Sequence, residues 1–396
     1  MRTFSSEFVG CKVSYMDARD IGERLREGGL AKTAGVPADI AVISTCCVTH
    51  EALRKSRKQA RRAAAMSERV YVTGCAANLQ DGMSGLPDNV VVVSGPSEEA
   101  PASVATDVGA LGCLNVAHGR DRVRAFVKIQ DGCSFSCAVC VIPSVRGPSR
   151  SRSAMQALEE IQRRVEEGYS EIVLSGVNLG CFRDAAAGYD LAGLVREAGN
   201  LDGVRRLRLS SIEVNHLTPG LIEAMMETPS VSPHLHVPLQ SGDDTVLAAM
   251  RRTYTSREFL RKVEQVGDFN LTTDAIVGFP AEDDAAFERT LNLVGHAGIT
   301  KVHVFPYSPR PGTRTAELDT VPAEVKRERS QRLRAASDAA CTTRWRTKIG
   351  KKSEVLVDRP GRGYGDDYTP WIVDGSVGGF VDVQGAEVTT EGVRAA

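Results

Sequence analysis

Residues 128–143, KIQDGCSFSCAVCVIP, place Cys133, Cys137 and Cys140 at a Cys-x3-Cys-x2-Cys spacing. Three thiolates this close in the chain can hold three irons of a [4Fe–4S] cluster and leave the fourth open, whereas four-thiolate sites saturate the cluster. A structural zinc knuckle is the competing reading, but such sites normally close with four ligands and show paired Cys-x2-Cys. The expectation is therefore a cluster with an open iron, able to bind a substrate or cofactor.

Working outward, residues 121–308 alternate strand-like and helix-like segments. Strand candidates are 122–130, 171–177, 205–213, 234–240, 271–279 and 301–308, all rich in branched apolar residues and ending near Gly, Ser or Pro. Between them lie helical patterns such as the one in which Ala154, Leu158, Ile161 and Val165 recur. Six such units predict a partial (β/α)6 barrel, wound right-handed. Its functional end is the C-terminal end of the strands, and the three cysteines follow the first strand.

Residues 1–95 read as a separate α/β unit, with strand candidates at 39–45, 69–74 and 89–95. The first two run into Cys46 and Cys75, and Cys11 follows the opening segment. Three cysteines at one edge of a parallel sheet could share a metal site, although free cysteines are also common in cores. Residues 96–121 read as a linker and residues 122–320 as the barrel. A basic helix then starts near Pro322 within 321–349, and Gly-separated β patterns in 350–396 predict a small β-barrel.

At 396 residues, two or three domains are expected. A hydrophobic content of 42% and a charged content of 25% are those of a globular protein. No apolar run approaches the roughly 20 residues needed to span a bilayer. The opening MRTFSSEFVG lacks the charge-then-apolar pattern of a signal peptide, so the cytoplasm is expected, with no membrane partner. Ten cysteines in that setting favour metal binding or catalysis over disulfides. Cys113 and Cys181 read as spare thiols, Cys341 as a helix-face residue, and His234 and His236 as packed or hydrogen-bonded barrel residues.

Net charge is −1, but its distribution is uneven. Residues 54–62 carry six basic residues and no acid, and residues 326–352 carry ten against Glu328 and Asp338. Residues 353–396 carry three basic residues against eight acids. Basic helices are often only solvated faces, yet such fields attract phosphate. Trp345, Tyr364, Tyr368 and Trp371 are the aromatics near the C-terminus available to stack on bases.

The strings GCKV around Cys11, STCCVT around Cys46 and TGC around Cys75, together with the barrel motif, resemble the methylthiotransferases of the radical S-adenosylmethionine (SAM) enzymes. The resemblance covers nearly the whole chain. KIQDGC, VIPSVRG, RLRLSSIE, HLHVPLQSG, MRRTYT and HVFPYSPRPGT look like the branch that modifies N6-threonylcarbamoyladenosine in tRNA. The final β segment resembles the TRAM domain, a small RNA-binding barrel. Residues 1–95 would then be the methylthiotransferase domain and 122–320 the radical SAM domain. Two positions depart from the family: Ser14 and Ser44 stand where Asn is usual, which alters hydrogen bonding around the ligands.

The resemblance implies two [4Fe–4S] clusters, one on Cys133, Cys137 and Cys140, the other on Cys11, Cys46 and Cys75, with Cys47 a spare buried thiol. SAM would chelate the open iron of the first cluster and yield a 5′-deoxyadenosyl radical on reduction; the second would carry the sulfur that is methylated and transferred. Gly176 and Asn178 would let the backbone approach the methionyl amine, and Ser211 and Glu213 would reach the ribose. Gln240 and Ser241 lie on the next strand end, and Gly278 and Pro280 would flank the adenine; tight turns alone would also account for the glycines. Implied partners are tRNA, a sulfur donor and a flavodoxin- or ferredoxin-like one-electron reductant. A protein or peptide side chain is the alternative substrate, and an iron–sulfur regulatory protein without turnover is the alternative of another class.

Overall fold

The computed structural model describes residues 1–112, 114 and 122–396. Cys113 and part of the 96–121 segment lie outside the described residues. The chain divides into two compact units. One gathers the N-terminal segment with Asp131–Arg150 and Ser308–Ala316; the other gathers residues 122–130, Ser151–Tyr307 and Glu317–Ala396.

The first unit is built on a five-stranded sheet ordered Ala31–Lys32, Thr3–Phe8, Ile40–Thr45, Arg69–Gly74, Val90–Val92, with every pairing parallel. Ile40–Thr45 is buried at every residue, which explains its unbroken small and branched apolar run. Helix Lys12–Glu27 lays Met16, Ile21 and Leu25 on the sheet. Helix His50–Ala64 starts where the Thr49 hydroxyl accepts the Ala52 N–H at 3.0 Å. Segment Asp131–Arg150 belongs to this unit because Val141 and Val145 pack into the same core as Ile43 and Val72.

In the second unit six strands run parallel in two sets of three. Ala125–Lys128, Glu171–Ser175 and Arg206–Leu209 form one, and His234–His236, Asn270–Val277 and Ile299–Pro306 the other. The sets meet at a bridge between Leu207 and Val231 and through the Ile212 N–H, which donates to the His236 carbonyl at 2.9 Å. Consecutive strands are neighbours throughout, as in the expected partial barrel. Val127, Leu174, Leu207, Leu235, Ala275 and Val302 share one buried core.

The long helix, Ala323–Arg346, leads to a closed barrel of Lys352–Arg359, Arg362–Gly365, Pro370–Ile372, Gly392–Ala395 and Phe380–Thr389. This small barrel grips the N-terminal ends of the central strands. Arg206, which opens one strand, donates to the Glu354 carbonyl at 2.9 Å, and Asn270, which opens another, donates to the Asp367 carbonyl at 2.6 Å. Trp371 does not offer a face to a base: it fills the barrel core with Val355, Val357 and Val393 at 1% exposure. Tyr364 and Tyr368 are also engaged, their rings in tilted contact at 5.0 Å and under the guanidinium groups of Arg124 and Arg208. Among the described residues, no helix is long and apolar enough to cross a membrane.

Candidate functional site

Three adjacent strands of the first unit end at cysteines. Phe8 pairs with Ser44, and Thr45 with Gly74, so the strand ends lie side by side. Cys46 and Cys75 follow their strands directly, and Cys11 caps helix Lys12–Glu27. Cys46 and Cys75 are buried and Cys11 is exposed. Burial pushes the Cys46 thiol up to about 11, and the neighbouring Cys75 and Cys11 push in the same direction. Cys75 and Cys11 thus each stand within electrostatic reach of Cys46.

Backbone close to the sulfurs is held by glycine. Gly10 has φ +114°, and a Cβ there would fall 2.5 Å from Cys46 Cβ and 2.9 Å from its sulfur. Gly74, at φ +89°, would place a Cβ 2.7 Å from the Thr45 carbonyl oxygen. Ser56, fully buried on the basic helix, accepts the Cys46 N–H at 3.1 Å and so ties that helix to the cysteine loop. Ser14 lies 3.8 Å from the Cys11 sulfur, and the buried hydroxyl of Ser44 has no hydrogen-bond partner. Cys47 is buried, as expected of a spare thiol, but its hydrogen bond to Cys75 holds the Cys75 thiol down while raising its own.

Cys133, Cys137 and Cys140 lie on a half-buried loop of the same unit. Its ends are tied where the Cys133 N–H donates to Gly147 O at 3.0 Å and the Cys140 N–H to Cys137 O at 3.2 Å. Gly132, at φ +69°, admits the Pro148 carbonyl, which a Cβ would meet at 2.0 Å. Segment Ser308–Ala316, legible in the sequence only as a Pro- and Gly-punctuated loop, braces both cysteine regions. Arg310 donates to the Val48 carbonyl at 2.7 Å, and Thr315 to the Ala138 carbonyl at 3.3 Å.

Among the described residues, no three His, Cys, Asp or Glu side chains stand close enough to hold a single metal ion. A [4Fe–4S] cluster asks something different, because each thiolate takes its own iron. The donor sets suit it: two groups of three thiols on loops with glycine-held backbone.

The remaining candidates lie in the second unit. Gly176 leaves room for Gln130, whose side-chain oxygen accepts the Asn178 N–H at 2.8 Å. Ser211 is half-buried beyond its strand, and Glu213 is paired with Arg252 at 3.2 Å. Gln240 adopts φ +66°, and Ser241 lies 3.3 Å from the Thr290 hydroxyl. The Gly278 N–H donates to Glu282 at 2.7 Å, and half-buried Pro280 follows it. His234 and His236 each meet the Thr272 hydroxyl, at 3.2 and 3.0 Å. Cys181 lies 3.4 Å from His216, and Cys341 donates to the Thr300 carbonyl at 2.7 Å.

The two basic stretches behave differently. In 326–352, Lys326, Arg329, Arg332, Arg344 and Lys348 are ion-paired within the unit, so much of that positive charge is neutralised at home. On helix His50–Ala64, Lys58, Arg61 and Arg62 are exposed on the face opposite buried Ser56, Ala60 and Ala63.

Residues 127–294 match the Radical SAM superfamily, and residues 3–94 match the uncharacterized protein family UPF0004. The chain is similar to a protein of Bacillus subtilis named threonylcarbamoyladenosine tRNA methylthiotransferase MtaB: 35% identical, over 85% of this chain and 81% of that one. A protein of the same name from Thermotoga maritima is 34% identical over 99% of this chain and 96% of its own. The tRNA-2-methylthio-N(6)-dimethylallyladenosine synthase of Mycobacteroides abscessus is 33% identical over 90% and 77%. Among solved structures, the radical S-adenosylmethionine methyltransferase TsrM of Kitasatospora setae matches with a TM-score of 0.61 at 12% identity, over 80% of this chain and 75% of that one. This last likeness is one of fold alone.

Proposed function

Because the chain belongs to the methylthiotransferase family of radical SAM enzymes, we propose that it places a methylthio group on C2 of N6-threonylcarbamoyladenosine beside the anticodon of a tRNA. The observation that carries this reading is the pairing of two three-thiol sets on one compact unit, in a chain whose relatives of that name align over nearly its whole length.

Cys133, Cys137 and Cys140 would hold the cluster that binds SAM, and Cys11, Cys46 and Cys75 the second cluster. Bound there, SAM and the two clusters would supply one-electron radical chemistry at the C–H bond and the sulfur of the methylthio group. The chain's own residues position these groups. Arg310 and Thr315 hold the two cysteine regions, Gly10 leaves room for the Cys46 side chain, and Gly132 admits the Pro148 carbonyl. Gly176, Asn178, Ser211, Glu213, Gln240, Ser241, Gly278 and Pro280 form our candidate SAM site. We assign residues 1–95, 122–320 and 350–396 to methylthiotransferase, radical SAM and TRAM-like domains, joined by 96–121 and the helix of 321–349. Electron and sulfur balance require a one-electron reductant and a sulfur donor. A tRNA substrate places the work in the cytoplasm.

The exposed cations of helix His50–Ala64 favour a polyanionic substrate near the second cysteine set. The test is an anaerobic reaction of the reconstituted protein with SAM, reductant and tRNA bearing threonylcarbamoyladenosine. Nucleosides and 5′-deoxyadenosine are then measured by mass spectrometry. A new 2-methylthio nucleoside is expected. Product only with dimethylallyladenosine tRNA would move the chain to the sister substrate, and 5′-deoxyadenosine with no change in either tRNA would point to a peptide.

A further inference from the structure

Arg146 closes the short helix Ile142–Arg146, six residues beyond Cys140. It is buried, with 4% of its side chain exposed, and all three guanidinium nitrogens are used. Nε donates to the Cys75 sulfur at 3.0 Å. One terminal nitrogen donates to Asp17 at 2.7 Å, and the other spans both carboxylate oxygens of Asp131 at 3.1 and 3.0 Å. Asp131 is itself fixed, accepting the Ser97 hydroxyl at 2.5 Å and the Gly132 N–H at 2.7 Å. A residue of the first cysteine loop is thus aimed at a sulfur of the second set.

A buried arginine pinned by two carboxylates is a common structural device. Two features go beyond that role. The carboxylates occupy only the terminal nitrogens, leaving the Nε–H for sulfur. Asp131 and Arg146 also flank the Cys133–Cys140 loop, so the ion pair staples that loop at both ends. Hydrogen bonds to ligating sulfurs withdraw charge from a cluster and raise its reduction potential. Lysine could not replace this group, since one ammonium cannot reach three partners in a fixed fork.

We propose that Arg146 is a positioning residue serving both cysteine sets: it fixes Cys75 and raises the potential of the cluster held by Cys11, Cys46 and Cys75, and the folding of the Cys133–Cys140 loop brings it there. This role rests on the proposed assignment of a second cluster to those three cysteines.

The test uses full-length protein in which Cys133, Cys137 and Cys140 are changed to Ala, so that only the second set can take iron. Iron content and a potentiometric titration followed by electron paramagnetic resonance are compared with and without Arg146→Lys. A lower potential and reduced iron retention are expected in the Lys variant. Because Arg146→Lys could unsettle the fold, a charge-balanced variant, Asp17→Asn with Arg146→Met, is measured beside it, and the same fall in potential is expected. Unchanged potential and iron content in both variants would reduce Arg146 to a structural ion pair and overturn the proposal. If the protein with Arg146 intact takes no iron, the second-cluster assignment has failed, and the proposal falls with it.

Discussion

The carboxylate of Glu171 receives the Nε–H of Arg208 at 2.8 Å, and neither side chain is more than 2% exposed. Arg124 and Arg206 reach the same carboxylate, Arg206 at 3.1 Å. Three cations around one anion, beneath the first strands of the barrel, are tolerable only while the anion is present. Arg208 also donates to the small barrel at the Gly365 and Asp366 carbonyls, and Arg206 at the Glu354 carbonyl.

Replacing Glu171 by Gln removes that anion, leaves the buried Arg208 guanidinium uncompensated, and leaves Arg206 and Arg124 to Glu354 and Asp358. The expected cost is about 3–5 kcal/mol, the usual scale for breaking a buried pair from one side. Urea denaturation followed by circular dichroism measures it; a cost below about 1 kcal/mol would mean that water or other acids take over the role.

Asp367 supplies a pH dependence. Against the cost of burial, Lys348, Thr369 and their hydrogen bonds hold its carboxyl down to about 2, from an ordinary value of 3.8. A depressed pKa adds stability that is fully present above about pH 4 and is lost as pH falls through about 2. At about 1.4 kcal/mol per unit the contribution is about 2 kcal/mol. Asp367→Asn is expected to lower stability at pH 7 by about that amount and to flatten the acid limb between pH 4 and 2.

The two cysteine sets are expected to fail differently. Cys137→Ala should abolish SAM cleavage, read as 5′-deoxyadenosine. Cys46→Ala should retain cleavage and lose methylthio transfer, read as the modified nucleoside. A well-folded Cys46→Ala protein that makes no 5′-deoxyadenosine would contradict separate roles.

Binding of tRNA should report which cations meet phosphate. Changing Lys58, Arg61 and Arg62 to Gln is expected to weaken binding. The slope of log K against log salt should become shallower by about 0.9 for each helical-stem phosphate that is no longer neutralised. Arg332→Gln is the control, since Arg332 is already held by Glu288 at 2.6 Å. Equal effects from both would place the RNA elsewhere.

Much of this is legible along the chain, because buried parallel strands announce themselves: residues 39–45 and 69–74 differ from the observed strands Ile40–Thr45 and Arg69–Gly74 by at most one residue. The run 234–240 is longer than the strand it contains. His234–His236 ends early because Pro238 has no N–H to give and Gln240 turns to φ +66°. Arg206 and Arg208 look like surface residues, and Glu171, more than thirty positions away, together with acceptors of the small barrel, makes them core. Trp371 looks like a stacking platform for the same reason: barrel closure, which fixes what it faces, is a matter of pairing between distant strands. The cysteines can be read from spacing and resemblance, whereas Arg146 is joined to Cys75 across 71 residues that no local pattern spans.

That separation also sets an order of events. On the ribosome, Cys11, Asp17, Cys46 and Cys75 emerge with their sheet well before the arginine that pairs with Asp17 and donates to Cys75, since Asp17 precedes Arg146 by 129 positions. The nascent N-terminal unit is therefore electrostatically unfinished until the second cysteine loop has been made. A fragment ending before that loop would keep the three thiols and leave buried Asp17 without its counter-charge, so the maturity of one cysteine set is read out by the synthesis of the other.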